Sequence, residues 1–271
     1  MELVSWPMVL ILMGVGVGVG FISGLMGIAG GVILIPALLK IQSLMGGIPP
    51  DTAVKVAFGT SLLTAVLTTS SGTWQHHRAN NVCWPDAIAL SLSGIAGALA
   101  GSTISSYLSG AVLKPLFGAA VLAVAVILAL RSEAKGNIRC EKHPVGGIIA
   151  VGGLIGTFSA LVGIGGGIML MPFLTLVLGY SSHRAVGTSG AVIPLVALSG
   201  AIGYIVHGWG ESGLLPFSAG YVNLFFVLCV SVSSMLTAPL GARAGAKLHG
   251  RWLNRLFAAL LVLVALKMFD F

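Results

Sequence analysis

Two stretches of this chain, GLMGIAGGVILIP at residues 24–36 and ALVGIGGGIMLMP at 160–172, carry one pattern. Seven of the thirteen aligned positions are identical, including Gly27/Gly163, Gly30/Gly166, Gly31/Gly167 and Pro36/Pro172. Glycine clustered inside an apolar run breaks a helix, because each one costs about 1 kcal/mol relative to alanine in a helix interior. A broken helix leaves backbone N–H groups without acceptors at the start of its second arm. Those donors and the positive end of the helix dipole attract anions. Glycine adds access, since no β-carbon holds a ligand away from the backbone. Free donors are expected near Gly30 to Ile33 and near Gly166 to Met169.

A second recurring pair, AFGTS at 57–61 and AVGTS at 185–189, supplies the neutral hydroxyls of Thr60, Ser61, Thr188 and Ser189. Hydroxyls donate to an oxyanion without bringing charge. The candidate substrate-binding set is therefore Gly27, Gly30, Gly31, Thr60, Ser61, Gly163, Gly165, Gly166, Gly167, Thr188 and Ser189. Small residues at helix contacts are also ordinary membrane packing, so the threonines taken alone carry either reading.

The acids inform by their positions. All seven (Glu2, Asp51, Asp86, Glu133, Glu141, Glu211, Asp270) fall in loops or at the ends of apolar runs. A carboxylate inside the membrane is the usual mark of a proton relay or cation path, so a cation pump is disfavoured and an anion suits the site. Lys55, and Arg184 beside His183, stand at helix starts, where they serve either to attract an anion or to set topology. His76 and His77 end the second run and His207 the sixth, and all three read as exposed. The cysteines, Cys83, Cys140 and Cys229, show neither CxxC nor CxxH spacing, so no disulfide framework, metal site or cofactor is read. No HExxH, GxSxG or membrane carboxylate pair suggests an enzyme.

The elements that position these residues follow from composition. Of 271 residues, 56% are hydrophobic and only 8% charged, against about 25% charged in soluble domains. Eight apolar runs can be marked, at 8–39, 53–72, 86–108, 112–131, 145–178, 186–206, 217–240 and 252–269. Each approaches or exceeds the roughly 20 residues a spanning helix needs. Trp6, Trp74, Trp84, Trp209 and Trp252 all fall at run edges, where aromatic belts sit. The runs lack the alternation of barrel strands. The first run is preceded by Glu2 and no cation, unlike a cleaved signal peptide, and is expected to be retained. The net charge of +7 is spread over loops, which speaks against nucleic-acid binding.

The motifs recur in one order, since LSGAVLKPLFGA (108–119) also returns as LHGRWLNRLFAA (248–259). The expected architecture is an all-α polytopic membrane protein of two homologous four-segment repeats, 1–131 and 145–271, joined by a polar linker, 132–144. Repeat-built transporters bind substrate near the midplane where the repeats meet. A continuous helix over 145–178 would be about 50 Å long, well beyond roughly 30 Å of hydrocarbon, so it breaks at its glycines. If the broken runs cross straight, Lys and Arg divide 8 to 6 between the faces; if each is a re-entrant V, they divide 10 to 4. The cation-rich face lies inside. That bias favours the V, inverted repeats and both termini outside the cytoplasm.

On these residues the chain resembles the sulfite exporter TauE/SafE family. The resemblance rests on Gly27, Gly30, Gly31 and Pro36, on Gly163, Gly165, Gly166, Gly167 and Pro172, on the two Ala-x-Gly-Thr-Ser steps and on the closing leucine-phenylalanine helices, and spans nearly the whole chain. Ala29 departs from the pattern where the second copy has Gly165, which implies a less open first break. The family implies a polytopic permease of the bacterial inner membrane with two related halves, moving sulfite, sulfoacetate, thiosulfate or other organic and sulfur-containing anions. The expectation is a small-anion permease in the lipid bilayer, working by alternating access between two broken helices. The alternative is a membrane-embedded assembly or partner protein without transport, marked by a stable complex and a centre filled with side chains.

Overall fold

Both glycine clusters interrupt helices. The computed structural model describes residues 5–130, 145–248 and 259–265. Helix α1 (Trp6–Met26) ends at Gly27, φ 65°, and α2 (Gly31–Met45) starts from Gly30, φ 68°. Helix α6 (Val145–Leu161) is followed by Gly163, Gly165 and Gly166, at φ 71°, 78° and 90°, and then by α7 (Gly167–Pro172). L side chains rarely adopt this left-handed conformation, so glycine is required at these five positions. Ala29 stays outside it: the first break uses two left-handed residues and the second three.

Helix α7 runs on as a π-helical turn, Phe173–Val177. Pro172 has no N–H to give the ladder. Thr175 Oγ1 donates to the carbonyls of Met171 (2.9 Å) and Pro172 (3.2 Å), which takes up acceptors the distorted turn leaves.

The other elements are α3 (Pro50–Arg78), α4 (Trp84–Tyr107), α5 (Gly110–Leu130), α8 (Ser182–His207), a two-stranded hairpin of β1 (Ser218–Ala219) and β2 (Val222–Asn223), and α9 (Leu224–Lys247). Residues 259–265 are helical. Among the described residues six helices are long and apolar enough to cross a membrane: α1, α3, α4, α8, α9 and residues Gly110–Ile127 of α5. The run marked at 217–240 is shifted, because its first residues form the hairpin and the Asn223 side chain caps α9 by accepting from Phe226 N–H at 3.0 Å. The polar linker and most of the final run lie outside the described residues. Trp6, Trp74, Trp84 and Trp209 are exposed at helix ends, as an aromatic belt requires; Trp252 lies outside the described residues.

Helix α1 lies along α9, and α6 along α4, while α3 and α8 pack on one another and on α9 and α4 respectively. Each opening helix thus rests on a helix from the other half of the chain. These contacts are made backbone to backbone. A β-carbon on Gly20 or Gly24 would run into Ser234 or Ala238 of α9, and one on Gly97 or Gly101 into Gly153 or Thr157 of α6. Small residues let membrane helices approach this closely. Gly16, Gly20 and Gly24 meet residues 230, 234 and 238 in that order, so α1 and α9 run parallel. Gly30, at the end of the break, still lies against α1: a β-carbon on it would stand 2.5 Å from Val19 Cγ1 and 3.7 Å from Ser23 Cβ.

The glycine contacts separate two positions on one helix. Gly20→Ala, whose methyl meets α9 backbone, is expected to destabilise the protein by about 1–3 kcal/mol through overpacking. Gly18→Ala meets nothing within 4 Å and should be neutral or stabilising by up to about 1 kcal/mol, the helix-propensity gain. Thermal unfolding of the two variants in detergent compares them directly.

Candidate functional site

The two breaks touch. A β-carbon on Gly31 would lie 3.2 Å from both the Gly163 carbonyl oxygen and Ile164 Cα, and one on Gly167 would lie 2.7 Å from Ile28 Cα. A β-carbon on Gly165 would lie 2.7 Å from the methyl of Ala29. The single alanine in the first break therefore fits opposite a glycine in the second. All seven candidate glycines, with Thr60, Ser61, Thr188 and Ser189, are buried. Gly31 also faces Ser61, the twelfth residue of α3, about 17 Å along that helix at 1.5 Å per residue. The meeting point is thus deep in the span.

Neither second arm has a side-chain cap. Among the described residues no hydrogen bond takes up the N–H groups of Ala29, Gly30, Gly31 and Val32, nor those of Gly165, Gly166, Gly167 and Ile168. The expected donor sets shift by one residue. Ile33 N–H is used, donating to Gly30 O at 3.1 Å, and Met169 N–H to Gly166 O at 3.2 Å, the tightened first turn that helix ends often adopt. The N–H of Ile28 likewise has no acceptor, so nine buried donors remain at one crossing.

The Ala-x-Gly-Thr-Ser steps hold the breaks from behind. Thr60 Oγ1 accepts from the N–H of Asn223, before α9, and Thr188 Oγ1 from the N–H of Cys83, before α4, both at 3.0 Å. A β-carbon on Gly59 would lie 2.5 Å from Tyr221 O, and one on Gly187 would run into Asn81 O. Each step therefore ties the middle of one half to a loop of the other. Val186 and Phe58, the variable residues of the motif, press on Gly27 and Gly163. The threonines are positioning residues.

The serines divide. Ser189 Oγ donates to Gly27 O at 2.8 Å, while Ser61 Oγ is fully buried and has no partner. A further pair was not singled out from sequence: Ser23 donates to Ile28 O, while Ser159, beside Gly166, has no partner. They align with one another one position before the quoted stretches, so extending the comparison by a single residue would have found them.

A cavity of about 10 Å³ beside the second break is lined by Ser159, Ile164, Gly166 and Ile168 among others. That is about the volume one water molecule requires. A larger cavity, about 250 Å³, lies between the ends of α3 and α9 and is lined by Gln75, His76, Arg243 and Lys247 with three alanines. His76 is not exposed as its place in the sequence suggests: it is 5% accessible and its Nε2 meets Gly24 O at 3.1 Å, three residues before the break. Helix directions put Arg78, Arg184, Arg243 and Lys247 at this end, and Lys40, Lys55 and Lys114 at the other. Lys55 is engaged there, donating to Ser106 O at 2.7 Å and lying over the Tyr221 ring.

Asp86 stands at a helix start as expected; it is 4% exposed and accepts from the Tyr180 hydroxyl. Burial and that bond raise the Tyr180 phenol above its ordinary value. Cys83 is disulfide-bonded, although cysteine spacing suggested no disulfide; Cys229 is the free cysteine among the described residues.

Comparison with known proteins places this arrangement in context. The family described as sulfite exporter TauE/SafE matches over residues 12–268. A "Probable membrane transporter protein" of Haemophilus influenzae is 32% identical over 255 residues, covering 94% of this chain and 96% of the relative. A protein of the same description from Methanocaldococcus jannaschii is 30% identical over 255 residues, covering 94% and 92%. "Probable membrane transporter protein YunE" of Bacillus subtilis is 23% identical over 271 residues, covering 94% of each. No solved structure matches.

Removing the hydroxyl of Thr188 leaves a buried N–H at Cys83 without its acceptor, a loss of about 1–3 kcal/mol. Thr188→Val should lower the thermal midpoint in detergent, and Thr188→Ser, which keeps the acceptor, should restore most of it.

Proposed function

Because this chain belongs to the sulfite exporter TauE/SafE family of membrane permeases, we propose that it moves small anions, sulfite or organosulfur oxyanions, through the crossing of its two helix breaks. The observation that carries this reading is the set of nine buried N–H groups left without acceptors where the breaks touch. Folded proteins pair more than nine in ten such groups, so an unpaired cluster needs a reason. An oxyanion supplies the missing acceptors, and the partial positive charge of two helix starts favours it. The surroundings are backbone, serine hydroxyls and aliphatic side chains, which suits an anion held by neutral donors. The proposed substrate-contacting set is Gly27, Gly30, Gly31, Ser61, Gly163, Gly165, Gly166 and Gly167, with Thr60, Thr188 and Ser189 holding the breaks.

The basic cavity between α3 and α9 forms the mouth on one side, and the cation-rich end faces the cytoplasm of a bacterial inner membrane. Residues 1–131 and 145–271 act as inverted repeats, each opened by a re-entrant pair of arms. The crossing is closed in this form, since the 10 Å³ cavity beside it holds no oxyanion. Transport requires the breaks to part, first toward one face and then toward the other. A membrane potential negative inside favours export by about 2.3 kcal/mol per charge per 100 mV.

The tightly filled centre also fits a membrane-embedded assembly protein without transport. The unpaired donors favour the permease, because a purely structural crossing gains nothing from leaving them unsatisfied.

Proteoliposomes holding the full chain are expected to pass sulfite or a small sulfonate down an imposed gradient. Gly31→Ala, whose methyl would sit 2.6 Å from Ser61 Oγ, should cut that flux at least about tenfold, the effect of roughly 1.4 kcal/mol. Absence of flux under every gradient and potential would refute the reading. The topology has its own check. Single cysteines at positions 2 and 267 should label from outside intact cells and one at position 135 only after permeabilisation. A cytoplasmic position 2 would overturn the re-entrant arrangement.

A further inference from the structure

The two breaks carry the same serine pattern in different hydrogen-bonding states, and the difference identifies where the anion sits. At the first break both turn carbonyls are occupied: Ser189 donates to Gly27 O at 2.8 Å and Ser23 to Ile28 O. At the second break the corresponding carbonyls are those of Gly163 and Ile164, and the corresponding hydroxyls are Ser61 and Ser159. Neither of these hydroxyls has any partner, though Ser61 is 0% and Ser159 3% exposed. Leaving a buried hydroxyl unsatisfied costs about 1–3 kcal/mol, so an acceptor brought from elsewhere is favoured at Ser61 and Ser159 and not at Ser189 and Ser23.

Ser61 has the surroundings for that acceptor. Its Oγ lies 2.6 Å from where a β-carbon on Gly31 would be. Gly31 is the first residue of the fifteen-residue helix α2, and its N–H and that of Val32 are unpaired. Ser61 Oγ therefore lies against the first residue of α2, and only glycine at that position admits it: a β-carbon on residue 31 would run into the hydroxyl.

Resting on the permease reading, we propose that the anion subsite is one-sided: one oxygen of an oxyanion or sulfonate is held by Ser61 Oγ and the N–H groups of Gly31 and Val32. Ser189 and Ser23 are spent instead on the carbonyls of Gly27 and Ile28. An oxygen of the bound anion stands to Ser61 as the Gly27 carbonyl stands to Ser189. The equivalence of the sequence motifs does not extend to their ligands, and Ser189 donates within the protein where Ser61 donates to the anion.

The test uses the full chain in proteoliposomes on a Cys229→Ser background, with Ser61→Cys and Ser189→Cys each exposed to 2-sulfonatoethyl methanethiosulfonate. This probe is itself a small sulfonate. Ser61→Cys should react at least about tenfold faster than Ser189→Cys, as a difference of roughly 1.4 kcal/mol in access and binding dictates. Methanesulfonate should slow the reaction of Ser61→Cys alone. Equal rates, a faster Ser189→Cys, or no reaction at either position overturns the proposal. Alanine variants supply a second readout. Ser61→Ala should keep its thermal midpoint, having lost no protein partner, and lose flux. Ser189→Ala should lower its midpoint because Gly27 O loses its donor. A Ser61→Ala variant with wild-type flux overturns the subsite. If the unaltered chain passes no anion at all, the permease reading falls, while the labelling ratio still decides whether the breaks are unequal.

Discussion

A peptide N–H removed from water must find an acceptor, and the crossing of the two breaks is organised around nine that have none among the described residues. In hydrocarbon this is tolerated only where backbone is buried in protein or lines a cavity. Both conditions on the surrounding structure follow. The breaks must be enclosed by other helices, and they must come within backbone distance of each other. Gly31, Gly165 and Gly167 meet the second condition, since a β-carbon at each would press on the opposing break. Gly27 and Gly163 meet the first, because each is pressed by a residue of a neighbouring helix, Val186 or Phe58, that any added side chain would displace.

Enclosure is achieved by interlocking the halves. Helix α1 lies on α9 and α6 on α4, so each opening helix is supported by the other half of the chain. Thr60 and Thr188 repeat the exchange in the loops, each accepting the N–H that precedes α9 or α4. A displacement of one half relative to the other therefore acts on both breaks together. This coupling comes from hydrogen bonds and glycine contacts that carry no charge.

Much of this was written in the sequence in a readable form. Helix breaks could be located because glycine penalises a helix wherever it stands, and apolar runs too long for a bilayer had to break somewhere. Roles that depend on a partner distant in the chain could not be read. Ser61 and Ser189 occupy identical motifs, and only the packing of α2 and α8 decides that one faces Gly31 while the other meets Gly27. His76 stands at the end of an apolar run, as an exposed histidine would, yet it is buried because α1 brings Gly24 O against it. Asp86 was legible as a helix start but not as a buried group, since its partner Tyr180 lies 94 residues away. The hairpin before α9 escaped notice because two-residue strands leave no periodic signal to detect.

The two breaks are alike in sequence and unequal in structure. Ala29 opposite Gly165 is a fixed inequality: one methyl fills the gap that a second glycine would leave and keeps the first break out of the left-handed region at that residue. The serine bonds are a second inequality. Ser189 and Ser23 donate to Gly27 O and Ile28 O, whereas Ser61 and Ser159 at the second break have no partner. One sequence pattern is thus held in two hydrogen-bonding states, because the partner of each serine is set by the helix packed against it and not by its own motif.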